Sequence, residues 1–453
     1  MKTIDLEKAN ELVKKGTLLS EEEKKAVQRE RLHELVDYVR ENSPYLKELY
    51  KDIPKDYELS DLPVIEKGEM LKHYEEYVTD PELKLSLVRD YLARDASDSS
   101  LLLGKYTALQ TSGSTGEPLP MVRDDNHNKI HGALLTHRLF HGVEPELFDH
   151  SKHKTAFIVH ISNSASSYGT YLRTKRRAPG YEDNITAIPI TDSLSAMVKK
   201  LNDFQPEAII AYPPSLVMLA EEKEKGNLNI PLKLIASSAE LLTEENYNRI
   251  HEVFKCPILN NYCMTEGGEI AMTYGCPHLH INDDFIIIEP VDKDRNVITD
   301  GETFSDGILV TDLTNYVQPI IRYFVGDSVR IRKELKKCCP RPIMEIQGRV
   351  WDSFTLSGET FTTKALEVKA KFQKGLIAWQ FLKTDDSTLE VRGVASADAV
   401  LEDALKELSE KLKDYFEKSG LKGFSIAYSL EEPVRNERGG KTPLFKDMSR
   451  GER

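Results

Sequence analysis

Between residues 155 and 262, short apolar runs alternate with stretches of helical composition, and this alternation restricts the fold more than any other feature of the chain. "TAFIVHI" (155–161), "EAIIAYP" (207–213), "LKLIASS" (232–238) and "CPILNNY" (256–262) read as strands because they are short, apolar and rich in β-branched residues. "SLSAMVKKLNDF" (193–204) and "PSLVMLAEEKEKG" (214–226) between them read as helices. Strands separated by helices run parallel, so an α/β layer is expected. In such sheets ligands collect beyond the carboxyl ends of the strands.

The flanks follow different rules. The first hundred residues are expected to be mostly helical. "SEEE" (20–23) forms a capping box with Ser20 as N-cap and Glu23 three positions on. Leu32, Leu35, Val36 and Val39 then fall on one helical stripe, and Pro44 ends that helix. From about residue 279, "LHINDDFIIIEPVD", "DGILVTDL", "QPIIRYFVGD" and "SVRIR" predict strands joined by turns. Past residue 352 come "GLIAWQFLK", "TLEVRGV", a helix over "AVLEDALKELSEKLKDYFEKSG" and a strand "FSIAYSL". The expected fold class is therefore α/β. Residues 1–351 form a large domain whose first part, to about 100, is helical, with parallel-rich sheets and a β-rich subdomain; residues 352–453 form a small α+β domain. No internal repeat is evident.

Bulk properties limit the partners. The chain of 453 residues is 40% hydrophobic and 30% charged, which suits a soluble globular protein. No apolar run approaches the ~18 residues of a membrane span, and "MKTIDLEKAN" lacks the apolar stretch of a secretory signal, so a cytoplasmic location is expected. A net charge of −13 argues against nucleic acid as the main partner. The five cysteines do not suggest a disulfide framework in such a chain.

"TSGSTGE" (111–117) packs hydroxyls and glycines too densely for a core strand. Successive amides and hydroxyls in such a loop make an anion cradle, although the Walker A spacing and its lysine are absent. Downstream, in order, come "NNYCMTEGGE" (260–269), "RYFVGDSVRI" (322–331), "GRVWDSFTLSGETF" (348–361) and "ERGGKTPLF" (437–445). Singly each has a plain structural reading: a flexible hinge, a strand end, a β-turn, a solvated loop. Together, in this order, they resemble the adenylate-forming superfamily, and within it the phenylacetate–CoA ligase-like group. The likeness extends to "NSPYLKELY" and "DLPVIEKGEML" near the front and so spans nearly the whole chain.

The resemblance implies that the large domain makes an acyl-adenylate from a carboxylic acid and ATP, releasing pyrophosphate. A mobile small domain then lets a thiol, often that of CoA, attack. It implies that Thr111, Ser112, Gly113, Ser114, Thr115 and Gly116 cradle the β- and γ-phosphates. Tyr262 would lie against adenine, with Ser238, Ala239, Glu240 and Asn261 also at the nucleotide. Thr265 would bond the α-phosphate and Glu266 would hold Mg2+. Asp327 would accept from both ribose hydroxyls, Arg349 would support the ribose, and Asp352 would mark the interdomain hinge. Lys441 would neutralise charge developing between carboxylate and α-phosphate.

Two positions depart from the family's pattern. Glu117 stands where a lysine is common, placing a carboxylate beside polyphosphate; it points away, or Arg123 or the metal compensates. Trp351 replaces a usual acid beside Asp352. Some relatives hold a structural zinc, for which Cys276, His280, Cys338 and Cys339 are the corresponding residues, with His278 as an alternative. The relatives separate the later cysteine pair by one residue, whereas here the two are adjacent. The other reading is buried thiols and surface histidines. The acyl pocket is expected around Asn163, Ser164, Ser166 and Tyr212, whose polarity hints at an acid bearing polar groups. Aryl, short and amino acids all stay open. The leading reading is an ATP-dependent acid–thiol ligase using CoA. Transfer to a separate carrier protein or an amine, and a non-catalytic adenylate-binding protein, are the alternatives. A homodimer is left open.

Overall fold

The computed structural model describes residues 4–94, 100–111, 119–159, 161, 166–176, 178–189, 192, 194–238, 241–332, 339–349, 353–362, 366, 369–370, 373–396, 399–434 and 444–449. The described residues through Gln347 make one unit and those from Gly348 a second.

The first unit opens with helices α1 (Leu6–Thr17), α2 (Glu21–Asn42), α3 (Pro44–Leu49), α4 (Lys67–Lys72), α5 (Tyr74–Tyr77) and α6 (Leu85–Leu92). The capping box expected at the start of α2 is present: Ser20 N donates to Glu23 Oε2 at 2.8 Å and Glu23 N donates to Ser20 Oγ at 3.3 Å. Leu32, Leu35, Val36 and Val39 are buried. Asn42 is the last helical residue, and Pro44 then starts α3, whose first turn has no need of its missing N–H.

After the hairpin β1 (Thr107–Gln110) and β2 (Pro120–Arg123) come α7 (Asp125–Leu134), β3 (Thr155–Val159), α8 (Ser166–Arg176), β4 (Ile185–Pro189), α9 (Leu194–Phe204), β5 (Ala208–Ala211), α10 (Pro213–Glu224), β6 (Leu234–Ser238), α11 (Glu244–Phe254) and β7 (Ile258–Met264). The strands β8 (Gly268–Met272), β9 (Leu279–Ile281), β10 (Ile286–Val291), β11 (Gly307–Asp312), β12 (Ile320–Val325), β13 (Asp327–Arg332) and β14 (Ile343–Arg349) follow. One sheet runs in the order β13-β14-β9-β8-β7-β6-β5-β3-β4. Its β4-β3-β5-β6-β7 part is parallel, as the strand–helix alternation requires. β10, β11 and β12 form a separate antiparallel sheet, the β-rich part expected beyond residue 279.

A buried ionic cluster ties the N-terminal helices to this unit. α7 continues into a π-helical turn over Leu135–Leu139, which carries Arg138. Its guanidinium donates to both oxygens of Asp284 at 2.8 and 2.7 Å. Arg341 donates to Asp284 Oδ1 at 2.9 Å, to Asp283 Oδ1 and, at 2.7 Å, to the carbonyl of Gly16 in α1. Lys24 of α2 donates to Asp283 at 2.9 Å. Gly16 is required here, because a Cβ would meet Asp284 Oδ2 at 1.9 Å.

The second unit contains the antiparallel pair β15 (Ser353–Leu356) and β16 (Glu359–Thr362). Its four-stranded sheet runs β19 (Ser425–Tyr428), β18 (Thr388–Ala395), β17 (Leu376–Lys383), β20 (Phe445–Asp447). Helix α12 (Leu401–Lys418) buries Ala404, Leu405, Leu408, Leu412 and Phe416, an amphipathic stripe at helical spacing. Among the described residues no helix is long and apolar enough to cross a membrane.

Candidate active site

The bend after β7 is where the sequence motifs converge. β7 and β8 pair antiparallel with Met264 opposite Gly268, so Thr265, Glu266 and Gly267 close a tight hairpin. Gly268 has φ +69°, and a Cβ there would lie 2.4 Å from His131 Cε1. Both the backbone angle and the packing therefore demand glycine. Gly268→Ala is expected to lower stability by about 1–3 kcal/mol, measurable by urea unfolding. A neutral result would show that His131 is free to retreat.

Arg123, the last residue of β2, holds this bend from below. Its Nη2 donates to the carbonyls of Met264 at 3.1 Å and Thr265 at 2.7 Å. The same strand is the exit of the hydroxyl–glycine segment. Thr111 N donates to the Leu119 carbonyl at 3.1 Å, and Leu119 N donates to Thr111 Oγ1 at 2.9 Å, closing its neck. Arg123 lies only three residues beyond Pro120, a strand rise of about 10 Å. The neck of the segment and the Thr265–Glu266 bend thus share one neighbourhood. Ser112, Gly113, Ser114, Thr115, Gly116 and Glu117 lie outside the described residues.

Two further motifs meet across the sheet. Tyr262, half-buried on β7, donates its hydroxyl to Asp327 Oδ2 at the start of β13. Burial, then the Glu266 carboxylate, push the Tyr323 phenol up. Asn261 pairs in register with Ser238 at the carboxyl end of β6. Its Oδ1 is buried without a hydrogen-bond partner among the described residues, leaving an acceptor for a donor from outside. Burial pushes the thiol of the half-buried Cys263 up to about 12, which favours its protonated form.

No protein-family profile matches the chain. Protein CapK of Staphylococcus aureus is 25% identical over 415 residues, covering 86% of this chain and 82% of that protein. Phenylacetate–coenzyme A ligase of Thermus thermophilus is 25% identical over 396 residues, covering 82% and 81%. Among solved structures, 2-hydroxyisobutyryl-CoA ligase in its postadenylation state with 2-HIB-AMP has a TM-score of 0.65 at 19% identity, covering 95% of this chain and 90% of that one. The same enzyme with 2-HIB-AMP and CoA in the thioesterification state has a TM-score of 0.57 at 19% identity, covering 95% and 91%. The chain is similar in sequence to a phenylacetate–coenzyme A ligase and shares the fold of 2-hydroxyisobutyryl-CoA ligase.

The rest of the expected site divides between what the structure places and what lies beyond it. Tyr212, at the carboxyl end of β5, is buried and its hydroxyl is 2.7 Å from Ser167 Oγ on α8. This joins the two segments expected to shape the acid pocket. Ser166 opens α8, whereas Asn163 and Ser164 lie outside the described residues, as do Ala239, Glu240, Asp352 and Lys441. Arg349 ends β14. Cys276 Sγ lies 3.1 Å from His280 Nε2, and His280 Nδ1 lies 3.3 Å from the Arg341 carbonyl. Burial pushes the His280 imidazole down and so favours its neutral form, a thiol–imidazole pair that suits a zinc edge. Cys339 is buried, and Cys338 lies outside the described residues.

Sequence reasoning weighed Arg123 only as a counter-charge to Glu117, and the carbonyls it anchors were not legible from its position. It also passed over His127 and His131. Their i, i+4 spacing behind the N-cap Asp124 was the available signal.

Proposed function

We propose that this chain activates a carboxylic acid with ATP, releasing pyrophosphate and forming an acyl-adenylate, and then passes the acyl group to the thiol of CoA. The observation that supports this best is the Tyr262–Asp327 hydrogen bond beside a bend that Arg123 ties to the neck of the hydroxyl–glycine segment. A tyrosine ring, a carboxylate and a glycine-lined bend then line a path from an adenosine end to a phosphate end. Asp327 accepts the ribose hydroxyls, Asn261 Oδ1 and Ser238 face the base, and Thr265 bonds the α-phosphate. Thr111 and its neighbours Ser112–Gly116 hold the terminal phosphates. The phenylacetate–coenzyme A ligase and 2-hydroxyisobutyryl-CoA ligase likenesses favour CoA over a carrier protein or an amine as acceptor.

The chemistry needs positioning and charge balance more than covalent work. The carboxylate attacks the α-phosphorus, the bond to the pyrophosphate oxygen breaks, and pyrophosphate leaves with that electron pair. Glu266, a partly exposed carboxylate at the bend, suits Mg2+, which takes one or two carboxylates together with phosphate oxygens and water. When bound, that ion supplies charge neutralisation at the phosphates. Cys276 and His280, with Cys338 and Cys339, would hold a structural zinc. A cytoplasmic location fits this use of ATP and CoA.

The reading is tested with a panel of carboxylic acids, ATP and pyrophosphate detection, adding CoA and then hydroxylamine in separate arms. Acid-dependent pyrophosphate release with an acyl-CoA product supports it. Release that yields only the hydroxamate moves the acceptor away from CoA. Nucleotide binding without release across the panel favours a non-catalytic adenylate-binding protein. Within the same assay, Asp327→Ala is expected to raise the KM for ATP about 10–100-fold through loss of charged hydrogen bonds. An unchanged KM would remove Asp327 from the ribose.

A further inference from the structure

Helix α7 places His127 and His131 one turn apart, and both rings are buried and stacked, with centroids 3.9 Å apart. They face the end of β11. His127 Nδ1 lies 3.1 Å from Asp312 Oδ2 and 2.8 Å from Thr314 Oγ1. His131 Nε2 lies 3.1 Å from the same hydroxyl. We propose that His127, His131 and Asp312 form a buried site for a single divalent transition ion, Zn2+ by its donor set, seated directly behind the Thr265–Gly268 bend. The site is separate from the Cys276–His280 pair and does not depend on the adenylation reading.

Three observations point to an ion. First, one ligand atom from each of the three residues lies within 4.8 Å of the other two, and the His127–Asp312 approach of 3.1 Å is close to a ligand–ligand edge. A tetrahedral ion with bonds of about 2.0–2.2 Å holds its donors about 3.3–3.6 Å apart. Second, Asp312 Oδ2 is fully buried and has only the His127 ring, at 3.1 Å, as a polar neighbour among the described residues. Third, His131 carries a carboxylate behind it: its Nδ1 lies 2.6 Å from Glu269 Oε2, which leaves Nε2 turned inward. A carboxylate on the far nitrogen is how metal-bound histidines are usually oriented.

Thr314 Oγ1 donates its proton to Asp312 Oδ1 at 2.6 Å. Because the His131 ring also fills the space where a Gly268 Cβ would stand, an ion here would fix the helix and the bend as one piece.

The test uses the full chain with Cys276, Cys338 and Cys339 replaced by serine, which removes the thiols of the other zinc candidate. After growth with Zn2+ and gel filtration, about one zinc per chain is expected by elemental analysis. Cobalt substitution should give tetrahedral visible bands with no thiolate charge-transfer band. Asp312→Asn and His131→Gln should each weaken zinc binding at least ~100-fold, and Glu269→Gln about 10–100-fold. Zinc that is retained unchanged in Asp312→Asn would overturn the site. So would a folded thiol-free parent holding less than about a tenth of an equivalent; the cluster is then only a hydrogen-bonded network centred on Thr314. If the ligand variants do not fold, the parent alone decides. Chelation that lowers its melting temperature, reversed by Zn2+, supports the proposal, and a melting temperature indifferent to both rejects it.

Discussion

Asp284→Ala is expected to cost about 3–5 kcal/mol of stability, the range for removing one partner of a buried ion pair. Against the 5–15 kcal/mol that holds a typical domain together, this is a large share. Two guanidiniums converge on that carboxylate, Arg138 through both oxygens and Arg341 through one, and all three side chains are almost fully buried. Removing Asp284 leaves Arg138 without its ionic partner and Arg341 with Asp283 alone. Urea unfolding of the first unit's transition measures the loss, and a cost below about 1 kcal/mol would mean the cluster is solvated in solution.

The same residue sets an acid limit. Burial alone would raise the Asp284 carboxyl, but Arg138 and Arg341 outweigh it and hold the group well below the usual carboxylate range. A group depressed on folding contributes fully above its unfolded value, about 3.9 for an aspartate, and loses that contribution as the pH falls toward the folded value. Stability should therefore fall steeply below about pH 4 in the wild type. Asp284→Asn should flatten that slope while lowering the plateau at neutral pH. A variant with the wild-type acid slope would assign the effect to other carboxylates.

Lys441→Ala carries the second large effect, an expected fall in acid adenylation of ~10²–10³-fold, as for removal of a transition-state donor. Lys441 lies outside the described residues, so its role is proposed from the "ERGGKTPLF" motif alone. If the lysine serves only the first half-reaction, thiol transfer from a supplied acyl-adenylate should be nearly unchanged. Equal losses in both half-reactions would mean that the substitution disturbs the second unit as a whole.

Much of the architecture was readable in the chain because local rules and packing agree there. The Ser20–Glu23 capping box, the Leu32–Val39 stripe and the strands at 155, 208, 234 and 258 need only periodicity and end signals. β4 was missed: "ITAIP" ends in proline and is short, and it becomes a strand because β3 offers it a parallel edge. α11 was missed although Thr243 caps it, since its sequence is polar around most of its circumference. The candidate site was legible as an order of motifs, not as contacts. Nothing in "YCMTE" says that Tyr262 reaches Asp327, or that Arg123 anchors the bend, because both pairings span more than sixty residues and are created by strand order. The buried cluster around Asp284 was invisible for a related reason: adjacent aspartates read as a turn until the sheet brings Arg138 and Arg341 to them.

The central claim is that a carboxylate oxygen attacks the α-phosphorus of ATP on this chain. Incubating the protein with ATP, CoA and a turned-over acid carrying heavy oxygen in its carboxylate, and weighing the AMP, tests that step directly. One heavy oxygen in each AMP formed from fully labelled acid, together with acyl-CoA, is the predicted result. AMP with no heavy oxygen, or ADP as the nucleotide product, would contradict the account.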